Sequence, residues 1–294
     1  MKISVVLPCY NGERTLRTQL DALAIQQWPK TWEVEIIFVD NCCTDGSVRL
    51  VHEYQARLPH LHIIQAAERR SRPYARNAGA QAATGEVLLF CDADDAVAAG
   101  WLLAMATALQ THQFVACRFD TTTLNPPWLH ESRSTPQRES LQRLWYPPYC
   151  LYAGGSSLGI RRAVHEAVGG FDESMPFLED TEYCVRVQAY TGKELQFVPE
   201  AVVHIRHRRS LWALAAQAFC WGQYNEYLYR QYRRPDAKDA ARWRAYVVEW
   251  LWLLKHAAGF LRYKEGRVYL SWRMGWQLGL LKGCVLYRVP PVSA

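Results

Sequence analysis

The chain has 294 residues, of which 50% are hydrophobic and 21% are charged. This is enough apolar material for a buried core, which excludes an intrinsically disordered protein and predicts one globular domain with an appended helical tail. The nine cysteines include no C-x-x-C pair and no secretory leader precedes the first strand, so we expect reduced thiols and a cytoplasmic location.

Strand and helix patterns alternate from the first residues. Strands are predicted from apolar runs, and helices from amphipathic periodicity, at residues 3–7 (strand), 14–26 (helix), 34–39 (strand), 45–57 (helix), 61–64 (strand), 73–83 (helix) and 87–90 (strand). This order is typical of an α/β fold with a mainly parallel, doubly wound sheet flanked by helices. Residues 120–149 are rich in Pro, Ser, Thr and Arg and are predicted to form a long functional loop.

The sequence FCDADD at residues 90–95 places three carboxylates directly behind a buried strand. Ligands of open α/β sheets bind beyond the carboxyl ends of strands, so Asp92, Asp94 and Asp95 are expected in a site. Carboxylates at alternate positions can turn toward one divalent cation, which prefers oxygen ligands and shares them with a substrate's phosphates. An alternative is that Asp94 or Asp95 merely caps the helix that begins near Trp101.

The sequence PCYNGE at residues 8–13 follows the first strand. We predict that Pro8 breaks this strand and that a helix starts behind Asn11. Free backbone amides at such a helix start would face an anion.

Two further loops also follow strand ends. Asp45 is predicted to cap the helix behind it. Asp40 has no comparable local partner, so we expect its carboxylate to accept a hydrogen bond from a nucleobase N–H or a ribose hydroxyl. Arg76 has two open interpretations, a structural ion pair or a contact with a base or phosphate near Asp40.

Five segments occur in a characteristic order: VVLPCYN, VDNCCTDGS, PYARNAGAQAATGEVLLFCDADD, GGFDE and FLEDTEYCVR. Together they resemble the family 2 glycosyltransferases, inverting enzymes of the GT-A fold, over roughly residues 1–210. The resemblance implies a nucleotide-diphosphate sugar donor, a Mg²⁺ or Mn²⁺ ion, and transfer with inversion.

The resemblance also implies roles for individual residues. Asp40 matches the carboxylate that meets the nucleobase, Asp92 the one near the ribose, and Asp94 a metal ligand. Asp180 matches the general base, and His204 matches a histidine that approaches the metal or the diphosphate. The other residues expected at the donor are Pro8, Tyr10, Asn11, Arg76 and Ala93.

The adjacent carboxylates Glu179 and Asp180 are the expected catalytic pair. Like charges repel, so the pKa of one carboxyl is expected to rise toward a value that suits proton abstraction. The alternative is that both only supply negative charge at the start of a helix at residues 180–190.

Three residues are expected at the acceptor. Gly154 and Gly155 lie in AGGSSLGIRR, where the backbone could approach a sugar closely or could serve packing alone. Trp221 ends the segment QAFCW, which resembles the Gln-x-x-Arg-Trp motif of processive synthases except that Cys220 replaces the arginine. This departure and the lack of a predicted membrane span favour transfer of a single sugar over polymerisation. The alternative is that the match is a coincidence within a helix that buries Phe219 and Trp221.

Residues 205–294 carry 16 basic and 5 acidic side chains and seven of the twelve tryptophans. This composition suits peripheral attachment to an anionic membrane surface, and the alternative is packing on the catalytic domain or on a second subunit. No stretch has the length of a membrane span, and no nucleic-acid-binding module is recognisable. We therefore divide the chain into a catalytic domain, residues 1–210, and a helical region, residues 211–294.

These features predict a metal-dependent, inverting glycosyltransferase that moves one sugar from a nucleotide-diphosphate donor to a hydroxyl of a saccharide or lipid-linked acceptor. A UDP-sugar is the default donor, and the family resemblance implies that the process is assembly of exopolysaccharide, capsule or cell-surface glycan, with a lipid-linked acceptor expected at the inner membrane face. A sugar nucleotidyltransferase is one alternative, although PCYNGE lacks its usual Gly-rich loop with a lysine. A non-catalytic, membrane-docked protein that binds nucleotide sugars is another.

Overall fold

A computed structural model of the chain describes residues 1–132, 135–233 and 239–292. The described residues divide into two compact units. The sheet unit comprises Met1–Leu124, Pro136–Gln142 and Leu151–Arg206, and the helical unit comprises Asn125–Thr135, Arg143–Cys150 and His207–Ala294. The predicted division into domains 1–210 and 211–294 stays a prediction.

The strands alternate with helices through the first part of the chain. The described strands are β1 Lys2–Cys9, β2 Glu33–Asp40, β3 Leu61–Gln65, β4 Val87–Phe90, β5 Ala96–Val97, β6 Phe114–Asp120, β7 Gln142–Arg143, β8 Leu151–Tyr152, β9 Leu158–Arg161 and β10 Gln196–His204. The described α-helices are α1 Leu16–Ala24, α2 Ser47–Tyr54, α3 Arg72–Ala82, α4 Trp101–Thr111, α5 Pro127–His130, α6 Arg162–Ala167, α7 Glu179–Thr191, α8 Leu211–Tyr232, α9 Asp239–Phe260 and α10 Lys264–Tyr287.

Among the described residues, eight strands form one sheet in the order β3-β2-β1-β4-β9-β6-β10-β5. The pairs β1–β2, β2–β3, β1–β4 and β6–β10 are parallel, whereas β9 runs antiparallel to β4 and β6, and β5 antiparallel to β10. The predicted mainly parallel α/β sheet is therefore confirmed. The predicted loop at 120–149 contains the one-turn helix α5 and the short strand β7.

Alternate residues of the strands face two separate cores. Val5 and Leu7 pack in one core with residues of α1, α2 and α4, and Val6 packs in the other with residues of α3, α6 and α7. A strand whose successive side chains point to opposite faces must be apolar throughout when helices cover both faces. This explains the unbroken run from Val87 to Phe90 in β4.

The prediction that Pro8 breaks the first strand is wrong. Pro8 lies within β1 and is in register with Val39 of β2. The pairing of β1 with β4 ends at Val6 and Phe90. Backbone groups alternate in direction along a strand, so the nitrogen of Pro8 faces the side where β4 has already ended and no hydrogen bond is lost. The helix expected behind Asn11 begins only at Leu16.

The helical unit is held together by close contact between α8 and α10. Three glycines of α10, Gly275, Gly279 and Gly283, lie against the backbone of α8, where an added Cβ would approach the carbonyl oxygens of Ala215, Phe219 and Gln223 to 2.8 Å or less. Small residues at intervals of four allow two helix backbones to approach each other. Within the described part of the chain, no helix is both long enough and apolar enough to cross a bilayer.

A carboxyl group is buried in this helical unit. Glu226 of α8 is fully buried, its Oε1 accepts a hydrogen bond of 2.7 Å from the Val292 N–H, and its Oε2 has no hydrogen-bond partner among the described residues. Burial raises the pKa of Glu226 to about 8, although the Val292 N–H and the charge of Arg242 act to lower it. The folded protein therefore favours the neutral carboxyl.

We expect Glu226→Gln to stabilise the protein increasingly as the pH rises from about 5 to about 8. The pKa of Glu226 is about 8 in the folded protein and 4.5 ordinarily, so between these values the folded chain holds a proton that the unfolded chain has released. Raising the pH then weakens folding by up to roughly 4 kcal/mol, and glutamine removes this dependence while still accepting from Val292. Thermal unfolding of the wild type and of Glu226→Gln at both pH values measures this difference in stability. Identical pH dependence in both proteins would contradict the assignment.

Candidate active site

The carboxyl ends of three parallel strands meet at one edge of the sheet. Cys9 at the end of β1 is in register with Asp40 at the end of β2, and Val6 is in register with Phe90 at the end of β4. The segments that follow these strands therefore lie beside each other, where open α/β sheets place their ligands.

The segment behind β4 brings its three aspartates together. One carboxylate oxygen from each of Asp92, Asp94 and Asp95 lies within 4.8 Å of the others. Asp95 is buried and accepts a hydrogen bond of 2.9 Å from the Arg206 N–H. Burial, followed by the charges of Asp94 and Asp92, raises the pKa of Asp95 well above its ordinary value.

The alternative role of these aspartates as helix caps is not what the structure shows. Helix α4 begins at Trp101. Its N-cap is Gly100, which has a positive φ of 80° and lies five residues beyond Asp95. The carboxylate of Asp95 is instead turned inward, so the three acids form a cluster rather than a cap.

A divalent cation fits this cluster. Carboxylate oxygens are hard acceptors that cannot donate hydrogen bonds to one another when ionised, so their crowding is unfavourable without positive charge. Hard divalent ions prefer such oxygen ligands. Arg76 supplies positive charge at Asp92, through a bond of 2.9 Å from Nη2 to Asp92 Oδ1.

Arg76 connects the aspartate cluster to a second acidic segment. Its side chain is 2% exposed, and Nη1 donates to Glu179 Oε1 at 2.9 Å while Nη2 donates to Asp92. The guanidinium also lies 5.5 Å from the ring centre of Phe171. Burial alone would lower the pKa of Arg76, but the charges of Asp92, Glu179 and Asp180 outweigh it and raise this pKa. Of the two interpretations of Arg76, the structure shows the ion pair.

Glu179 and Asp180 occupy different environments at the start of α7. Glu179 is 2% exposed and pairs with Arg76, and Arg72 Nε lies 3.8 Å from the same oxygen. Burial is the main cause that raises the pKa of Glu179, and the charge of Asp180 adds to it, whereas Arg72 and Arg76 lower it. The predicted repulsion between the two acids is therefore a smaller effect than burial.

Asp180 is half-buried and is oriented by backbone amides. Its Oδ2 accepts from the Gly155 N–H at 2.9 Å, and its Oδ1 accepts from the Thr181 N–H at 2.8 Å. The preceding residue, Leu178, has a positive φ of 57°, which turns the chain sharply into the helix. Tyr152 is nearby, and burial followed by the charge of Asp180 raises its pKa to about 12.

The two glycines expected at the acceptor are in tight contact with neighbouring side chains. An added Cβ on Gly154 would lie 2.8 Å from the Phe119 ring, and one on Gly155 would lie 2.5 Å from Cζ of Arg76. Gly155 thus lets the backbone reach both Arg76 and Asp180, and the packing role is the one that the structure shows.

Three backbone amides of the first loop are bonded within the protein, so they are not the free donors expected for an anion site behind β1. The Asn11 N–H donates to Cys43 Sγ at 3.4 Å, the Gly12 N–H to Ser47 Oγ at 2.9 Å, and the Glu13 N–H to Asp45 Oδ2 at 3.0 Å. The side-chain oxygen of Asn11 accepts from the Thr44 N–H at 2.7 Å. These bonds fasten the first loop to the second.

The second loop is organised by its own aspartates. Asp45 Oδ1 accepts from the Ser47 N–H at 3.0 Å, at the first residue of α2, whereas the N-cap position itself is occupied by Gly46. Asp40 Oδ1 accepts from the Cys43 N–H at 2.8 Å, so the expectation that Asp40 lacks a local partner is wrong. Tyr10 is exposed at this edge, and its hydroxyl accepts from Arg70 Nη1 at 2.9 Å.

The side chains of two residues expected at the ligands pack against other side chains. Ala93 is buried and packs in the core that contains Val5, so only its backbone remains for a ligand. Trp221 lies in α8 of the helical unit, with its ring centre 5.4 Å from that of Trp272.

His204 ends β10 and pairs with a carboxylate that the sequence analysis did not single out. His204 Nδ1 lies 2.7 Å from Oδ2 of Asp120, which ends the neighbouring strand β6. Asp120 also accepts from the N–H and hydroxyl groups of Thr122 and Thr123, and these bonds outweigh burial and lower its pKa. An ionised carboxylate only accepts, so Nδ1 of His204 donates the hydrogen to Asp120 and only Nε2 is left to meet a ligand.

Asn77 explains the motif GGFDE. Its side-chain amide donates to the Phe171 carbonyl at 2.9 Å and accepts from the Phe171 N–H at 2.8 Å. An added Cβ on Gly170, which has a φ of +70°, would lie 2.6 Å from the Asn77 side chain. The motif thus places Phe171 beside Arg76, a contact between distant segments that no local sequence signal indicates.

A match to a protein-family model identifies the family to which the chain belongs. A family model described as Glycosyl transferase family 2 matches residues 4–169, which is more than half of the chain. The chain therefore belongs to glycosyl transferase family 2, as the sequence motifs predict, and its fold is the GT-A fold of this class.

Particular relatives match parts of the chain. The chain is 36% identical over 113 residues to the poly(ribitol-phosphate) beta-N-acetylglucosaminyltransferase TarS of Staphylococcus aureus. The aligned segment covers 38% of this chain and 19% of TarS. The chain is also 36% identical over 96 residues to the uncharacterized glycosyltransferase YibD of Escherichia coli, which is 33% of this chain and 27% of YibD. The chain thus aligns with less than a third of either relative.

Solved structures match over more of the chain. The mannosyltransferase PcManGT from Pyrobaculum calidifontis, in complex with GDP-Man and Mn²⁺, has a TM-score of 0.66 at 21% identity over 96% of this chain and 86% of that one. Residues 1–349 of S. aureus TarS in complex with UDP-GlcNAc have a TM-score of 0.54 at 21% identity over 82% of this chain and 69% of that one. At these identities the likeness shows the fold alone.

We expect Gly155→Ala to destabilise the protein by roughly 1–3 kcal/mol, because the new methyl group would overlap the buried guanidinium of Arg76. Gly259→Ala in α9 is the matched control, since a methyl group there would have no described atom within 4 Å and alanine favours helix. Urea unfolding of both variants measures the difference. Wild-type stability of Gly155→Ala would show that Gly155 does not pack against Arg76 this closely.

Proposed function

We propose that this chain is a metal-dependent, inverting glycosyltransferase that transfers one sugar from a nucleotide-diphosphate donor, by default a UDP-sugar, to a hydroxyl of a saccharide or lipid-linked acceptor. The observation that carries the proposal is the buried Arg76, which bonds Asp92 of the aspartate cluster and Glu179 beside Asp180. The acids that suit a donor and a separate carboxylate that suits an acceptor are thereby connected through one side chain. The process would be the assembly of cell-surface glycan or exopolysaccharide.

The donor is proposed to lie along the ends of β1, β2 and β4. Asp40 would accept from the nucleobase through its remaining oxygen lone pairs, and Asp92 would meet the ribose. Tyr10 is exposed at this edge and offers a ring face to a base. Pro8, Asn11 and Ala93 would act through loop shape, since the Asn11 side chain is bonded to Thr44 and Ala93 is buried.

Asp94, with its neighbours in the cluster, and His204 are the residues proposed to hold Mn²⁺ or Mg²⁺. The bond from Nδ1 to Asp120 orients the His204 ring, and Nε2 would be the atom that binds the ion. When bound, a divalent cation offsets the negative charge that develops on the departing nucleotide diphosphate. A structural neighbour of this chain contains Mn²⁺ together with GDP-Man, which supports this choice of ion.

Asp180 is the proposed general base. The acceptor hydroxyl would lose its proton to Asp180 as its oxygen attacks the anomeric carbon on the face opposite the leaving diphosphate. The amides of Gly155 and Thr181 fix the direction of the carboxylate. Glu179 is too buried to contact an acceptor, so we assign it a positioning role through Arg76.

We expect two substitutions to separate donor binding from chemistry. Nucleotide diphosphate sugars should raise the melting temperature of the full chain only with Mn²⁺. At a concentration of ~100 times the dissociation constant, the bound donor adds about 2.7 kcal/mol to the free energy of unfolding. Asp94→Asn should abolish this shift because it removes a metal ligand. Asp180→Asn should keep the shift but lower turnover roughly a hundredfold or more.

Asp21→Asn, at an exposed ion pair on α1, is the control and should change neither measurement. If no UDP or GDP sugar gave a metal-dependent shift of the melting temperature, the proposed donor site would be contradicted. Near-normal turnover of Asp180→Asn would show that Asp180 is not the general base. A shift without turnover in the wild-type chain would favour a protein that binds nucleotide sugars without catalysis.

A further inference from the structure

Exposed apolar side chains are concentrated in the helical unit. Of the 21 large hydrophobic side chains that are exposed among the described residues, 17 belong to this unit. Soluble surfaces rarely present such side chains in contiguous groups unless a partner covers them. The concentration therefore calls for a binding partner on this unit.

Helix α9 has a continuous apolar face toward solvent. Val247, Val248, Leu251 and Leu254 are 50%, 57%, 62% and 65% exposed, and their spacing places them on one side of the helix. We call these four residues the α9 face. The other side of the helix packs within the unit, where Leu253 is buried and the Tyr246 hydroxyl donates to the Gln277 carbonyl at 3.0 Å.

Helix α10 has a second apolar face. Its residues Met274, Leu278, Leu281 and Val285 are 40%, 45%, 39% and 76% exposed, and we call them the α10 face. Together with Phe219 and Leu286, three of them line an open groove of about 460 Å³. The glycines of α10 already pack on α8, so these side chains are not needed to hold the helices together.

Basic side chains accompany both faces. Lys255 is exposed one residue beyond the α9 face, and Lys282 lies within the α10 face with Nζ 5.2 Å from the ring centre of Phe219. Residues 205–294 as a whole have 16 basic and 5 acidic side chains, a net charge of +11. Long basic side chains can lay their methylenes on apolar surface while the charge reaches an anionic headgroup.

We propose that the α9 and α10 faces bind the surface of an anionic lipid bilayer. Apolar side chains, tryptophans and exposed lysines on the same helices match the hydrocarbon boundary and the charged headgroups of such a surface. A second copy of this chain fits less well, because a two-fold interface would oppose two units that each carry this positive charge. The inference does not depend on the sugar donor.

Sedimentation of the full chain with lipid vesicles tests the proposal. We expect binding to vesicles that contain phosphatidylglycerol, weaker binding to phosphatidylcholine alone, and release by high salt. Leu251→Glu and Val285→Glu, one on each face, should each lower the partition coefficient by about tenfold or more. Both positions are largely exposed, so the variants should fold, which their melting temperatures will show.

Ile25→Glu is the matched control, since Ile25 is 59% exposed in the sheet unit, and it should bind like the wild type. No binding to anionic vesicles, or equal binding by all the variants, overturns the proposal. A third result would also overturn it: light scattering shows a wild-type dimer, and Leu251→Glu dissociates this dimer without any loss of lipid binding. A second copy of the chain would then cover the α9 face.

Discussion

The candidate site depends on one buried charge, the guanidinium of Arg76. Arg76 joins Asp92, which follows β4, to Glu179, which begins α7. A buried cation is tolerated only when acids and hydrogen bonds compensate for its lost hydration, and here two carboxylates do so. Removing either partner would leave an uncompensated charge in the core. The same ion pair therefore fixes the aspartate cluster and the orientation of the start of α7.

The rest of the site is arranged around this ion pair. Gly155 lacks a side chain because the Arg76 guanidinium occupies that space, and its N–H reaches Asp180. Phe171 covers the guanidinium because Asn77 holds the motif GGFDE in place. Motifs that are far apart in the sequence are thus parts of one packed arrangement, and the two acids of α7 acquire different roles. Glu179 neutralises Arg76, whereas Asp180 is half-buried and bonded to backbone amides.

The sequence pattern was sufficient for much of the fold and for the clustering of the three aspartates behind β4. The apolar run of β4 followed by three aspartates indicates a strand end with a cation site, because strand polarity and carboxylate chemistry are local properties. Hydrogen-bond partners are not local. The amides of the first loop are used by Ser47 and Asp45, 35 and 32 residues away, and Asp120 pairs with His204 across 84 residues. Burial of Glu179 depends equally on packing that no short segment reveals.

A double-mutant cycle on Arg76 and Glu179 tests this account most directly. Arg76→Met should lower the free energy of unfolding by roughly 3–5 kcal/mol, because it leaves the buried carboxyl of Glu179 without its ion-pair partner. Glu179→Gln should remove part of that cost, so we predict that the double variant is more stable than the sum of the single effects by at least about 1 kcal/mol. Additive effects, within ~0.5 kcal/mol, would show that the two side chains are not coupled and would contradict the account.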